Sequence, residues 1–289
     1  MAAEARAGAL FLVPALTLIG VFFFLPVAAG LVLSLTDFDI YSLGSATHTR
    51  FVALDNYSTM LRNPLFWKAL LNTLYFAVVA GPLTLIAGLA TAMLLNAKLA
   101  RLKPLFRTIY FAPTVTTIVA VSIVWRYLYH PRVGLLNRAL EVVGIERIDW
   151  LGDAQWAMPA IIILAVWRNF GYAAVLMLAG LQNVPEELYE AARIDGAGPV
   201  RQLWSITIPT MMPTFVFVGV ITAIGYLQIF AEPYVMTPDG GPLNSTLTIV
   251  MLMYREGFRW WNMGFAAAIA FVLFGIVIAG SLLQRRLAR

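Results

Sequence analysis

The sequence predicts an all-α polytopic membrane protein with six transmembrane helices. Hydrophobic residues make up 61% of its 289 residues and charged residues only 12%, whereas a soluble domain carries about 25% charged residues. Six apolar stretches are long enough to cross a hydrocarbon core about 30 Å thick, which takes about 20 helical residues. Helices are expected because a backbone exposed to lipid must satisfy its own hydrogen bonds.

The six predicted spans follow one another with short connections. In chain order they lie near residues 10–35, 70–95, 105–128, 157–181, 210–233 and 263–284. The first is too long for the apolar core of a secretory signal and lacks a small-residue cleavage site, so we expect it to be retained as a span. No connection is long enough for a soluble domain, and we therefore predict a single transmembrane domain over residues 1–289.

The basic residues of the loops predict the orientation of the chain. One set of alternating loops holds ten Lys and Arg in 54 positions, and the opposite set holds nine in 95. The first set comprises residues 1–8, 96–107, 182–209 and 284–289, and the second comprises 36–68, 126–156 and 232–262. Because basic loops stay in the cytoplasm, we expect a multi-pass protein of the cytoplasmic (inner) membrane with both termini in the cytoplasm.

Several kinds of chemistry lack the residues that they require. The chain has no cysteine, and its two histidines, His48 and His130, are far apart, so we expect no metal site. There is no glycine-rich phosphate loop of the Walker type and no nucleophile–base constellation, so we expect no catalytic residue. No basic cluster interleaved with aromatic residues suggests a nucleic-acid partner.

The polar stretch between the fourth and fifth spans predicts two short helices with a sharp bend between them. Pro185 suits a first helical position, where its missing N–H costs nothing, and two glutamates follow in the first turn. Asp195-Gly196 should end this helix, because glycine has a permissive backbone. Pro199 should start the second helix, which Pro209 stops or hands over to the fifth span.

The same stretch offers a surface to a soluble partner. Its small side chains let another surface approach closely, and its apolar side chains offer grip. The small residues are Ala191, Ala192 and Ala197, and the apolar residues are Leu203, Trp204 and Ile206. The alternative is an amphipathic connector that lies on the bilayer.

A spaced motif favours the first interpretation. The chain carries, in order, Glu190-Ala191-Ala192, Asp195-Gly196-Ala197, Ile206 and Pro209. This order resembles the EAA coupling motif of binding-protein-dependent ABC importer permeases. The resemblance implies that helices over about 185–208 dock on an ATPase subunit and transmit its closure to the spans. It assigns the ATPase-coupling contact to Glu190, Ala191, Ala192, Arg193, Asp195, Gly196 and Ala197.

Further runs extend the resemblance over most of residues 10–289. They include Arg107-Thr108-Ile109-Tyr110, Trp125-Arg126-Tyr127-Leu128 and Gly264-Phe265-Ala266-Ala267-Ala268. These runs resemble the carbohydrate subfamily of the same permeases, which includes the membrane subunits of the maltose importer. The resemblance implies a type I ABC importer permease fold with a second homologous permease, two ABC ATPase subunits that hold ATP and Mg, and a periplasmic or lipid-anchored solute-binding protein. It also implies that this chain itself binds no cofactor. Membrane lipid is expected to surround the chain.

Polar and aromatic residues within the fourth and fifth spans suggest a ligand site. Arg168 lies deep in a span, where a charge costs at least about 2.5 kcal/mol unless it faces the bundle interior or water. The alternative is ordinary polar packing between helices. By resemblance to the sugar site of the maltose importer, the substrate-binding residues are Trp167, Arg168, Asn169, Tyr172, Thr222, Tyr226 and Ile229. The sequence leaves open whether Arg168 binds an anionic group or pairs with Glu232.

A turn in the loop before the last span is the expected contact for the solute-binding protein. The turn runs Gly240-Gly241-Pro242-Leu243-Asn244, and the contact is assigned to Gly240, Gly241 and Pro242. The alternative is a plain tight turn, since proline and glycine together mark turns.

The resemblance as a whole implies a transport subunit without enzymatic activity of its own. It would move a di- or oligosaccharide by alternating access, and ATP would be hydrolysed by separate subunits. Relatives with the motif also move polyols and glycerol phosphate, so these ligands stay open. A secondary transporter is disfavoured, because that class shows internal repeats and intramembrane acidic residues, whereas the spans between residues 70 and 181 hold no Asp or Glu. A membrane enzyme would need a catalytic constellation that the sequence lacks.

Overall fold

The helices of the chain follow the predicted apolar stretches. The computed structural model describes residues 2–44, 49–97 and 103–287. His48, which entered the metal argument, and Lys98, Arg101 and Arg289, which entered the orientation argument, lie outside the described residues. In chain order the helices are α1 (Ala2–Ile19), α2 (Leu25–Ser34), α3 (Asp55–Arg62), α4 (Pro64–Asn96), α5 (Lys103–Val115), α6 (Ile118–Leu128), α7 (Leu135–Val142), α8 (Ala157–Gln182), α9 (Glu186–Ile194), α10 (Pro199–Gln202), α11 (Ile208–Thr210), α12 (Met212–Leu227), α13 (Ala231–Met236), α14 (Ile249–Tyr254) and α15 (Met263–Leu287).

The all-α class is confirmed over the described part of the chain. Extended pairing there is limited to a single bridge between Thr36 and Phe51. The chain divides into two units, of which the first joins Met1–Phe66 to Leu252–Gly275 and the second joins Trp67–Met251 to Ile276–Arg289. The single domain predicted over the whole chain stays a prediction.

Five helical stretches in the described residues are long and apolar enough to cross a membrane. They are Phe11–Ser34, Pro64–Asn96, Ala157–Gln182, Met212–Met236 and Met263–Gln284. The pair α5 and α6 makes a sixth candidate when the two helices are taken together. The second span begins earlier than predicted, because Pro64 starts a helix of 33 residues rather than one that begins near residue 70.

The third predicted span, 105–128, is wrong as a single helix. It consists of α5 and α6, which are bent by 105° at the break between them. Thr117 has extended backbone angles there, with φ −62° and ψ 131°. Pro113 lacks an N–H for the last turn of α5, and residues 114–117 are all β-branched, which weakens helix formation. The apolar pattern concealed this break because it runs through both helices.

The handover predicted at Pro209 takes place through a π-helical turn. Ile208 donates its N–H to the carbonyl of Leu203, five residues earlier. Proline has no N–H, and its ring would clash with the carbonyl four residues earlier, so the wider turn before Pro209 accommodates it. A similar π turn, Gly20–Phe24, precedes Pro26. The second helix of the polar stretch therefore leads into α12 with only Met211 between α11 and α12.

The first unit carries the N-terminal span. None of the apolar window of Phe11–Ser34 is buried within the chain. The end of α2 is held by Asn56, whose Nδ2 donates to the carbonyls of Ser34 (2.9 Å) and Thr36 (2.8 Å). The π turn Arg255–Arg259 buries Glu256, and this burial raises the pKa of the Glu256 carboxyl, while neighbouring Arg255 acts in the opposite direction.

The second unit is packed around α8. Half of its apolar window is buried inside the chain, and α5, α12 and α13 all contact it. At the crossing of α5 and α8, a Cβ on Gly171 would lie only 2.6 Å from the carbonyl carbon of Tyr110. Glycine therefore lets the two backbones meet, as small residues do at helix contacts within membranes. This packing holds the middle of α8, which contains Arg168, Asn169 and Tyr172, close to the neighbouring helices.

Candidate functional site

The C-terminus of α9 has a defined cap. Gly196 adopts φ 75°, its N–H donates to the carbonyl of Arg193 (3.1 Å), and the N–H of Ala197 donates to the carbonyl of Ala192 (2.8 Å). These two hydrogen bonds form a Schellman motif, whose left-handed position favours glycine. The helix end predicted at Asp195-Gly196 is confirmed, and the glycine of the EAA-like motif has a structural reason.

The N-termini of the two short helices differ slightly from the prediction. Pro185 is the N-cap of α9, with φ −58° and ψ 130°, and Glu186 takes the first helical position instead. Pro199 does occupy the first position of α10, and Gly198 is its N-cap. The acidic first turn of α9, Glu186 and Glu187, suits the positive end of the helix dipole as expected.

A hydrogen bond fastens α9 to the turn that precedes α12. Tyr189 Oη and Thr207 Oγ1 are 2.8 Å apart, and Thr207 is buried. Gln202 Nε2 adds a second tie by donating to the carbonyl of Ala197 (2.7 Å). Thr207 is the last residue of the π turn Leu203–Thr207. α9 is therefore joined by a side-chain hydrogen bond to the segment that leads into α12.

Most of the seven motif residues from Glu190 to Ala197 that were assigned to the ATPase contact are exposed. Glu190, Ala191, Arg193, Asp195 and Gly196 are exposed, and Ala192 and Ala197 are half-buried. One face of α9 together with its cap is thus open to a partner.

The apolar residues of this surface are not all those expected. Trp204 is 66% exposed, but Ile206 packs into the core with α8 residues and Leu203 is half-buried. Two apolar residues that the sequence analysis did not single out are exposed as well, namely Ile194 at 87% and Val200 at 71%. Both flank the sharp bend between the two short helices, and this position beside the predicted bend could have indicated that they are exposed.

A second feature is a cavity of about 470 Å³ in the second unit, lined by residues of α6, α8, α12 and α13. It lies where the fifth span is interrupted, since α12 ends at Leu227 and α13 begins at Ala231. Phe230, with φ −139° and ψ −53°, is not helical. Irregular backbone at membrane depth is tolerated where it lines a cavity.

Six of the seven predicted substrate-binding residues line this cavity. They are Arg168, Asn169, Tyr172, Thr222, Tyr226 and Ile229. Trp167 is not among the lining residues and lies against Trp125 of α6 instead, with ring centroids 5.3 Å apart. The helical repeat points Trp167 away from the cavity, although it adjoins Arg168 in sequence.

The lining residues differ in how free their polar groups are. Tyr226 is buried, and its Oη lies 2.7 Å from Thr84 Oγ1. Asn169 Nδ2 donates to the carbonyl of Ala165 (2.9 Å) and lies 3.4 Å from Tyr226 Oη. These contacts tie α4, α8 and α12 together. Tyr172 is 39% exposed and more accessible.

Two charged side chains line the same cavity without pairing. The Nε of Arg168 is buried and has no hydrogen-bond partner. Glu232, at the start of α13, is 9% exposed. In the described part of the chain the two side chains form no ion pair, which removes the direct pairing that the sequence left open. Gln228 and Glu232 also line the cavity, although neither was among the predicted site residues.

The turn before the last span is more enclosed than predicted. Gly240 is buried, whereas Gly241 and Pro242 are half-buried. The exposed tip is Leu243, which is 80% exposed and has φ 52°. Asn72 of α4 anchors the turn by donating from Nδ2 to the carbonyl of Asn244 (2.9 Å). A partner that reaches this turn would therefore meet Leu243 before the glycines.

Comparison with known sequences places the chain among transport proteins. A family model described as binding-protein-dependent transport system inner membrane component matches residues 84–289. The lactose transport system permease protein LacF of Rhizobium radiobacter is 38% identical over 286 residues, which cover 98% of this chain and 94% of LacF. The probable ABC transporter permease protein YurN of Bacillus subtilis (strain 168) is 37% identical over 281 residues, or 96% of this chain and 94% of YurN.

Comparison with solved structures agrees on the fold. A chain in the crystal structure of a bacterial alginate ABC transporter, in complex with an alginate pentasaccharide-bound periplasmic protein, superposes with a TM-score of 0.81 at 20% identity. The match covers 99% of this chain and 95% of that one. The fold expected from the sequence is confirmed.

Proposed function

This chain belongs to the family of binding-protein-dependent transport system inner membrane components, and from that premise we propose that it is the permease subunit of an ATP-driven importer of a di- or oligosaccharide. The permease exposes its cavity to the two sides of the cytoplasmic membrane in turn. It hydrolyses no ATP itself, and ATP and Mg are bound by separate ATPase subunits.

The observation that carries the proposal is the exposed helix α9 with its hydrogen-bonded C-terminal cap. Its Schellman cap at Gly196 fixes the direction of the bend, and Ile194 and Val200 beside the bend offer apolar contact. Apolar side chains so exposed, next to the charges of Arg193 and Asp195, suit docking into a groove of a soluble protein. The ATPase subunit is the partner that this motif implies.

The same observation suggests how the motor acts on the spans. Closure of the ATPase dimer moves α9, and the Tyr189–Thr207 hydrogen bond passes that movement to the base of α12. Because α12 lines the cavity with Thr222 and Tyr226, its displacement changes access to the cavity. ATP binding then favours the outward-open state, and hydrolysis resets the spans inward.

The assembly that we propose contains this chain, a second homologous permease, two ABC ATPase subunits and a periplasmic or lipid-anchored solute-binding protein. The unburied span Phe11–Ser34 supports a further membrane partner, which covers it together with lipid. The loop tip at Leu243 supports a contact with the solute-binding protein on the outer face. Both termini and α9 lie in the cytoplasm, in keeping with the basic loops.

The lining of the cavity and the sugar-transport name of LacF support a sugar as the ligand. Tyr172 and Phe230 provide aromatic rings for a C–H face, and Asn169, Thr222 and Gln228 provide polar groups for hydroxyls. Such a cavity resembles small-molecule sites in general, which combine apolar walls with a few polar groups.

Reconstitution tests the proposal. The chain is co-expressed with a second permease, an ATPase and a solute-binding protein of the same family from the same organism, and the assembly is purified and placed in proteoliposomes. We expect the subunits to co-purify and to take up radiolabelled disaccharides only when ATP is inside and the binding protein is outside. Uptake by this chain alone, with no nucleotide hydrolysed, would falsify the proposal.

A further inference from the structure

The cavity in the second unit holds one positive and one negative side chain that do not neutralise each other by contact. Among its lining residues, only Arg168 and Glu232 are charged. They come from different elements, since Arg168 lies near the middle of α8 and Glu232 in the first turn of α13. The net charge of the lining residues is therefore zero, although each charged side chain can still bind a ligand.

Neither charged group has an ion-pair partner among the described residues. The Nε of Arg168 is buried with no hydrogen-bond partner, and Glu232 is buried without an ion pair to Arg168. Charges removed from water need compensating groups. Water or a ligand in the cavity can supply those groups, and a ligand that does so gains charge-assisted hydrogen bonds.

Arg168 and Glu232 require opposite hydrogen-bonding groups from a ligand. A guanidinium only donates and a carboxylate only accepts. A hydroxyl group serves both, because its oxygen accepts from Arg168 and its proton is donated to Glu232. Two hydroxyls on one molecule can thus bridge the two residues. A carboxylate, phosphate or sulfonate could satisfy Arg168 but would meet the negative charge of Glu232.

We propose that Arg168 and Glu232 form a divided charge pair that a neutral polyhydroxylated ligand bridges, and that Glu232 is the specificity-determining residue that rejects acidic sugars. This inference rests on the proposed function and narrows its ligand class. It favours neutral saccharides and polyols over glycerol phosphate and uronates. The neutral polar residues Thr222 and Gln228, which also line the cavity, complete the hydroxyl contacts.

Binding to the assembled transporter in nanodiscs, without the solute-binding protein, tests this inference directly. The probes are maltose, cellobiose and galactobiose, each beside its uronate counterpart, and affinity is measured by equilibrium dialysis. We expect at least one neutral probe to bind about tenfold or more tightly than its uronate. Glu232→Gln should weaken neutral binding by about tenfold, as loss of a hydrogen bond to a charged group does, and should let the uronate bind.

Three further variants separate this role from a structural one. Glu232→Asp keeps the charge and should keep the rejection of uronates. Arg168→Gln should weaken the neutral probe and leave the uronate excluded. Glu256→Gln makes the same chemical change at a buried carboxylate that does not line the cavity, and it should leave the ratio of affinities unchanged.

Three results would overturn the inference: a wild-type preference for the uronate, an unchanged affinity ratio in Glu232→Gln, or no binding of any probe pair. ATP-dependent and binding-protein-dependent uptake of a sugar by the same purified assembly, reconstituted in proteoliposomes with the solute-binding protein added, would then show that the proposed function stands without this inference. Absence of such uptake for every sugar would instead count against the proposed function.

Discussion

Gly196 is where the chemistry of one residue decides the shape of the exposed bend. Its φ of 75° lies in the left-handed region, and nothing lies within 4 Å of the position that a Cβ would occupy. Space is therefore available for a side chain, and only the backbone conformation requires glycine. An L-residue in this conformation costs about 1–2 kcal/mol.

We predict that Gly196→Ala reduces ATP-dependent uptake by roughly tenfold. A cost of about 1.4 kcal/mol shifts the equilibrium between the capped and the uncapped end of α9 tenfold toward the uncapped form. Gly198→Ala is the matched control, since its Cβ also meets nothing within 4 Å but its φ is −71°. Uptake per assembled transporter in proteoliposomes measures both. Equal losses in the two variants would mean that the left-handed backbone is not the reason for the glycine.

At the scale of elements, we propose that one contact between helices lets the short helices act on the spans. The Tyr189–Thr207 hydrogen bond links α9 to the π turn that leads into α12. The net contribution of such a hydrogen bond to folding stability is only about 0.5–1.5 kcal/mol. Its removal should therefore leave the chain folded, while α9 loses this connection to the π turn before α12.

We predict that Tyr189→Phe lowers the number of sugar molecules transported per ATP hydrolysed, with little change in the amount of assembled transporter. The hydroxyl that joins α9 to Thr207 is lost, whereas the ring still packs in the core. Tyr127→Phe removes a hydroxyl from a side chain that is 71% exposed and serves as the control. If uptake and ATP hydrolysis stay in the wild-type ratio, the bond plays no part in coupling.

The crossing of α5 and α8 gives a prediction about stability. Gly171→Ala would place a Cβ against the Tyr110 carbonyl, and such overpacking costs about 1–3 kcal/mol. Gly81→Ala changes another helical glycine, where nothing lies within 4 Å of the new Cβ. We expect the thermal midpoint of the purified complex to fall for Gly171→Ala only. A similar fall for both variants would show that the close backbone contact is not limiting.

At the scale of the whole molecule, the basic residues of the loops predict orientation in the membrane. The natural chain has no cysteine, so a single introduced thiol reports its side without background. Glu187 in α9 and Gln155 in the loop before α8 are both exposed. They lie in loops that we assign to opposite sides.

We expect Gln155→Cys to react with a membrane-impermeant thiol reagent in spheroplasts, and Glu187→Cys to react only after the membrane is permeabilised. Mass-tag gel shifts measure both. The unaltered chain is the control for non-specific labelling. The reverse pattern would place the termini and α9 outside and would refute docking on a cytosolic ATPase.

The sequence by itself determined the features that depend on local chemistry. Long apolar runs required membrane helices, and Gly196 and Pro199 marked the ends of the two short helices, because propensity and backbone freedom act within a few residues. The motif around Glu190 predicted a coupling surface by resemblance, and α9 is exposed there.

Only the tertiary structure decided which distant residues meet. The 105° bend between α5 and α6 and the packing of Trp167 on Trp125 depend on contacts between helices, which periodicity does not record. The sequence named both Arg168 and Glu232, yet it could not tell whether they pair. That depends on the relative placement of α8 and α13, which packing across the second unit sets.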